Sequence, residues 1–251
     1  MEANTNTTLS ALLKQLRLPS FKKHYEKYAM EALRENWSFG QYLLSLCEIE
    51  AEDRYHRRVK RYIRESRLPM DKTLDALKLE KFPLKVKRQI PQLCEGNFLE
   101  RNENILIFGL PGRGKTHLAC ALGYELIRKN YRILFLPAYK LVQRLLTKKR
   151  DLLLEREFKK LDKYDAVIID DIGYIQQSRE EMEVLFTFLS ERYERKSVII
   201  TSNLVFSQWD KIFKDEMTTA CAIDRLVHHS VILELTGKSY RTEIAKKKNT
   251  K

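Results

Sequence analysis

Apolar positions recur at one period in the first quarter of this 251-residue chain and at another in the rest. Leu9, Leu12, Leu13 and Leu16 repeat at helical spacing until Pro19, behind a polar stretch of residues 1–7 that is expected to fray. Phe21, Tyr25, Tyr28, Ala29 and Ala32 share one face of a second amphipathic segment, and Ser38 with Gln41 makes a capping box for a third. That third helix is expected from Phe39 to about Arg67, with Phe39, Tyr42, Leu43, Leu46 and Ile49 turned inward. Residues 1–67 thus read as a small all-helical domain. Residues 68–83 lose the pattern and carry Pro69 and Pro83, the marks of a linker.

From residue 84 short apolar runs alternate with helical patterns. A short helix is expected from Leu84 to Gly96, a buried strand at Ile105–Phe108, and a helix from Thr116 to about Lys129. Arg132–Leu136 reads as the next strand, Leu141, Leu145 and Leu146 mark a helix, and Ala166–Ile169, Ser197–Thr201 and Val231–Leu235 are further strands. Such alternation predicts an α/β fold over residues 84–251, a parallel, doubly wound sheet with helices on both faces.

The strand at Ile105–Phe108 feeds Gly109, Leu110, Pro111, Gly112, Arg113, Gly114, Lys115 and Thr116, the G-x-x-x-x-G-K-T spacing of a phosphate-binding loop. Glycines let backbone N–H groups curl around an anion, and the start of the next helix adds its free N–H groups and positive dipole end. Lys115 would reach the β- and γ-phosphates of ATP, and the Thr116 hydroxyl would hold Mg²⁺. Asp170 and Asp171 follow the apolar run 166–169 at once, which puts two carboxylates at the C-terminal edge of a strand able to lie beside the loop. Asp170 would hold Mg²⁺, and Asp171 is placed to orient or deprotonate the attacking water. Asn203, at the end of the Ser197–Thr201 run, either meets the γ-phosphate and a water or is a simple turn residue.

Charge adds a polyanionic partner to this picture. The formal net charge is +13 and the pI about 9.5, which favours nucleic acid over membrane. Arg54, Arg57, Arg61 and Arg64 fall in one narrow stripe of the third helix, either a row that follows a phosphate backbone or a solvated face paired with nearby acids. A second basic cluster runs from Lys140 to Lys163 and includes Lys148, Lys149 and Arg150. Cys47, Cys94, Cys120 and Cys221 are too far apart for a zinc knuckle or a redox pair and read mostly as core thiols. With no run of 18 apolar residues and no signal-peptide core in the first thirty, a soluble cytoplasmic protein is expected.

Six blocks then carry a resemblance: Gly-Leu-Pro-Gly-Arg-Gly-Lys-Thr-His-Leu-Ala, Asp-Asp-Ile-Gly-Tyr, Glu-Arg-Tyr-Glu-Arg-Lys-Ser-Val-Ile-Ile-Thr-Ser-Asn-Leu, Trp-Asp-Lys-Ile-Phe, Asp-Arg-Leu-Val-His-His and Gly-Lys-Ser-Tyr-Arg. Over nearly its whole length the chain resembles the IstB-like ATPases, helper proteins of insertion-sequence transposons and relatives of the DnaC helicase loaders in the AAA+ superfamily. The resemblance implies that Asn203 senses the γ-phosphate and that Arg225 is an arginine finger supplied to the neighbouring subunit's ATP, with Arg241 as a second candidate. It also implies an AAA+ core without a helical C-terminal lid, and a Glu where this chain has Asp171. A side chain one methylene shorter bears on the hydrolysis rate, not on nucleotide binding. The combined expectation is a homo-oligomer with ATP sites between subunits that assembles on double-stranded DNA and helps a transposase capture its target. A loader that places a replicative helicase on DNA fits the same catalytic residues, and so does a nucleotide-gated DNA-binding module with negligible turnover.

Overall fold

In a computed structural model of the protein the strands form one five-stranded parallel sheet of order β2-β3-β4-β1-β5. They are β1 (Asn104–Phe108), β2 (Ile133–Pro137), β3 (Ala166–Asp170), β4 (Ser197–Ser202) and β5 (Ser230–Glu234). The structure describes residues 2–174, 178–205, 208, 209, 220, 224 and 226–236. Among them the chain divides into two compact units, residues 1–61 and 62–251.

In the second unit β1 and β4 are buried along their whole length, because helices cover both faces of the sheet. Alternate residues serve opposite faces. Leu106, Phe108, Leu134, Leu136, Val167, Ile169, Val198 and Ile200 pack with Leu141 and Leu145 of α7 (Ala138–Arg150) and Val184, Leu185 and Phe188 of α9 (Arg179–Arg192). Ile168, one residue out of phase, lies against Gly123 of α6 (Lys115–Arg128), where a Cβ would come within 3.0 Å of its Cδ1. The helix after the phosphate-loop sequence thus begins at Lys115, one residue before the expected start. The run after 138 is two helices, α7 and α8 (Leu154–Leu161), and α4 (Leu84–Glu95) and α5 (Asn97–Glu100) precede β1.

Residues 68–83, expected as a linker, are packed into the second unit. Leu68, Leu77 and Phe82 are buried, and Tyr124 Oη donates to the Pro69 carbonyl at 3.2 Å. His117 Nε2 lies 2.9 Å from the Thr73 carbonyl, and a 3-10 turn occupies Leu79–Lys81.

The first unit holds α1 (Glu2–Gln15), α2 (Pro19–Glu35) and most of α3 (Phe39–Ser66). The polar start does not delay α1, which begins at Glu2. Of the α3 residues expected to face inward, Leu46 is buried, but Phe39 is 94% exposed and Leu43 55%. The covered part of that face carries a polar contact. The Leu18 N-cap gives α2 no side-chain bond, so its free N–H groups turn to α3: Ser20 N–H donates to Glu50 Oε2 at 2.8 Å, and Ser20 Oγ to Asp53 Oδ2 at 2.6 Å. Glu50, on the same face of α3 as Phe39 and Leu46, is 4% exposed, so the stripe is covered at Leu46 and Glu50 and left open at its N-terminal end.

Candidate functional site

Ligands of open α/β sheets bind outside the carboxyl ends of the strands, and here three neighbouring strands end with the sequence blocks singled out above. β4 lies between β1 and β3, with Phe108 in register with Ser202 and Ile169 with Ile200. The phosphate-loop sequence therefore leaves β1, the two aspartates close β3, and Asn203 follows β4.

Each piece is locally determined. Gly112 and Gly114 have φ of 78° and 89°, conformations that other residues adopt only under strain. A Cβ on Gly109 would lie 2.8 Å from the Leu235 carbonyl oxygen, so the loop can leave the sheet beside β5 only with glycine there. α6 starts at Lys115 with no side-chain cap, which leaves its first N–H groups and its dipole directed at the loop. Lys115 is 5% exposed, and its Nζ donates to the Leu110 carbonyl at 3.3 Å. Thr201 Oγ1 donates to Asp170 Oδ1 at 2.7 Å and accepts the Asp171 N–H at 2.8 Å. Asp171 has φ of 57°, a left-handed conformation in which Asp is tolerated better than Glu. The shorter acid at this position thus has a backbone reason.

Between these elements lies a cleft of about 490 Å³. Gly112, Arg113, Gly114, Lys115, Thr116, Asp171 and Asn203 line it, with Pro111 at the rim of the loop. Asp170 lies behind, toward Thr201. Its opposite wall was not foreseen: Asp71, Lys72, Ala76, Leu77, Lys78, Lys81 and Phe82 come from the segment read as a linker, and Leu235 and Thr236 follow β5. A cue was present in Leu77 and Phe82, apolar residues that a solvated linker would not carry. Asn203 Oδ1 and two Arg113 nitrogens, Nε and Nη1, are buried without a hydrogen-bond partner among the described residues. Buried polar atoms of this kind mark where a ligand or water completes the bonding. One acceptor and two cationic donors beside the free N–H groups of a helix suit a polyphosphate with a water.

Other candidates are more dispersed. Arg225 and Arg241 lie outside the described residues, as do Cys221 and the tail in which a lid was not expected. Arg54 Nε donates to Glu50 Oε1 at 2.7 Å and its Nη2 to the Arg17 carbonyl at 2.7 Å, while Arg57 Nη2 reaches Glu50 at 3.4 Å. Arg54 and Arg57 are thus engaged within their own unit. Arg61 and Arg64 continue the row at exposed positions. In the second basic cluster Lys148 pairs with Asp151 at 2.8 Å, Lys149 with Glu183 at 2.9 Å, and Arg144 with the buried Glu157, while Arg150 is exposed. Burial, followed by the charge of Asp170, pushes the Cys120 thiol up to about 12, so it stays protonated in the core of α6. Among the described cysteines Cys47 is exposed and Cys94 half-buried, so the expectation of mostly core thiols holds for Cys120 alone.

The sequence profile of the IstB-like ATP-binding proteins matches residues 11–249. The chain belongs to this family. An insertion-sequence ATP-binding protein of Sinorhizobium fredii is 41% identical over 94% of this chain and 80% of its own length. The ATP-binding protein of insertion sequence IS21 from Pseudomonas aeruginosa is 34% identical over 95% of this chain and 90% of its own. Among solved structures the DnaC helicase loader superposes with a TM-score of 0.57 over 70% of this chain and 99% of that one, at 18% identity, a likeness of fold. The IstB-like chain is thus an ATP-binding protein with the AAA+ fold. The Glu-Arg-Tyr-Glu-Arg block, one of those that carried the resemblance, is absent from the cleft: Arg192, 2% exposed, donates to the carbonyls of Leu161, Tyr164 and Ser197 at 3.1, 3.1 and 3.0 Å and ties the end of α9 to the start of β4. No described helix is long and apolar enough to cross a membrane.

Proposed function

We propose that the protein is an ATPase that assembles on double-stranded DNA as a homo-oligomer and assists a transposase in target capture, with ATP acting as the assembly switch. One observation carries the reading: in a family named for insertion sequences and ATP, the P-loop, Asp171 and Asn203 open onto a single cleft from the ends of three adjacent strands.

In this reading the loop N–H groups and Lys115 hold the phosphates, and the wall formed by residues 71–82 receives the base and ribose. Thr116 and Asp170 would hold Mg²⁺, which when bound would supply positive charge to the phosphates. Asp171 orients or deprotonates the water, and the Asn203 Oδ1 that lacks a partner accepts from it. Arg225, delivered by a neighbouring subunit, neutralises charge that develops in the transition state, so hydrolysis waits on assembly. The helicase-loader alternative rests on a likeness of fold, which carries no partner with it. Negligible turnover stays open as a second reading because Asp171 replaces the family's usual Glu, and single-turnover hydrolysis on DNA decides it.

The test is a mixing experiment. Lys115→Ala is expected to bind ATP about 10- to 100-fold more weakly, and Arg225→Ala to bind ATP yet lose on the order of 10³-fold in DNA-stimulated hydrolysis. Mixed oligomers can pair an intact P-loop from one variant with an intact Arg225 from the other, so activity should partly return. No recovery at any ratio, with mixed oligomers shown to form, would sink the shared site.

A further inference from the structure

The ends of β3 and β4 are joined by one hydroxyl and by one missing side chain. Thr201, fully buried, bridges the two aspartates, giving its proton to Asp170 Oδ1 and taking the N–H of Asp171. Asp171 sits at a left-handed φ of 57°, and the Thr201 hydroxyl fixes its N–H there. On the other side of the same seam Gly173 faces Asn203. A Cβ on Gly173 would lie 2.3 Å from Asn203 Oδ1, far inside van der Waals contact, and 3.2 Å from the Leu204 side chain, a tight contact that a shift of a few tenths of an ångström relieves. Its φ is outside the left-handed region, so the position requires room and not backbone freedom. The atom that would be struck is the same Asn203 oxygen that is buried at the cleft without a partner among the described residues.

We infer that Gly173 and Thr201 are positioning residues for ATP hydrolysis: Gly173 leaves the space in which Asn203 reaches the cleft, and Thr201 sets the turn from which Asp171 reaches it. Neither residue lines the cleft, so each acts through its neighbour. The inference rests on the cleft being the hydrolytic ATP site. It separates two properties that P-loop variants lose together. Phosphate binding depends on β1 and α6, on the far side of β4 from the β3 end, whereas the water and its two orienting groups depend on the β3–β4 seam. A displaced Asn203 or Asp171 therefore slows the chemical step and leaves ATP affinity in place.

The experiment uses the full chain with DNA, a fluorescent ATP analogue for affinity and single-turnover hydrolysis for rate. Gly173→Ala should bind the analogue as the parent does and hydrolyse ATP about 10- to 100-fold more slowly, the penalty for a misplacement of about 1 Å. It should add nothing to Asn203→Ala, because that variant lacks the oxygen that a Cβ would strike. Thr201→Val, which frees both aspartates from their shared hydroxyl, should slow hydrolysis, and Thr201→Ser, which keeps the hydroxyl, should hold the parental rate. Should Gly173→Ala fail to fold, the double variant with Asn203→Ala must fold as well as Asn203→Ala alone, and a failure there overturns the inference. Parental hydrolysis by Gly173→Ala overturns it too, as do effects of Gly173→Ala and Asn203→Ala that multiply. If the parent itself neither binds the analogue nor turns over ATP, the reading of the cleft falls and this inference with it.

Discussion

Residues 62–251 and residues 1–61 were both read from apolar periodicity, yet they use their apolar residues differently. In the sheet unit every residue of β1 and β4 is sealed between helices. In the helical unit, among the described residues, Leu13 and Leu46 are buried while Leu12, Leu16, Met30, Leu33, Phe39, Leu43 and Leu44 are 49–94% exposed. A continuous apolar run covered on both faces leaves a strand no choice of side. A helical stripe states only that a face exists, and the partner decides which residues use it. In residues 1–61 that partner is polar: the uncapped start of α2 selects Glu50 and Asp53.

The largest expected effect tests this contrast directly. Ile107→Ala, in a site with 0% exposure, should cost about 2–5 kcal/mol of stability in urea unfolding, whereas Leu43→Ala should stay within about 0.5 kcal/mol. Comparable losses at the two positions would mean that Leu43 is covered in solution and that the contrast is false. Next in size, Lys115→Ala should weaken ATP binding about 10- to 100-fold, the value of a hydrogen bond to a charged group, with unchanged melting. Calorimetric titration reads the first and thermal denaturation the second.

Much of the site was legible because its signals are local. The P-loop needs a strand, glycines at fixed offsets and a helix, all contiguous in sequence, and Asp170 and Asp171 stand directly after an apolar run. What stayed hidden depends on tertiary approach. Residues 71–82 look like a linker until Leu77 and Phe82 pack beside the loop, and Gly173, quoted within the Asp-Asp-Ile-Gly-Tyr block, has no role of its own until Asn203 arrives from the end of β4. One local signal went unused, the Ser178-x-x-Glu181 capping box that starts α9. Glu50 could not be singled out among the acids of α3, because its role comes from α2.

The arginine row sharpens the contrast further, since it runs from one unit into the other. If double-stranded DNA follows this row, Arg64→Gln should weaken binding to all sequences alike and reduce the slope of log affinity against log salt by about 0.9. Arg54→Gln should instead loosen residues 1–61 with little change in slope, because its guanidinium is committed to Glu50 and the Arg17 carbonyl. Equal slopes for Arg64→Gln and the parent would move the contact to Lys148, Lys149 and Arg150 or to the basic tail.

The smallest effect is the one most specific to the helical unit. Burial alone would raise the Glu50 carboxyl, but the hydrogen bond from Arg54, the N–H groups of Ser20 and Phe21, and the Arg54 charge together hold it below its ordinary value. Asp53 is shifted the same way, first by the hydroxyl of Ser20. A carboxyl lowered in the folded state gives stability that is present above its unfolded pKa, about 4.3, and lost as pH falls through the folded value. Hydrogen-exchange protection at the Ser20 and Phe21 amides should therefore hold at neutral pH and collapse in acid, before amides of β1 and β4 respond. Glu50→Gln keeps an acceptor but loses the charge, so it should cost roughly 0.5–1 kcal/mol at neutral pH and remove most of the acid dependence at those two amides. Leu46→Ala is the control: it lowers protection at every pH and leaves the dependence in place. An acid response of the same size in Glu50→Gln would show that α2 is not held by this carboxylate, and the polar account of the helical unit would fail.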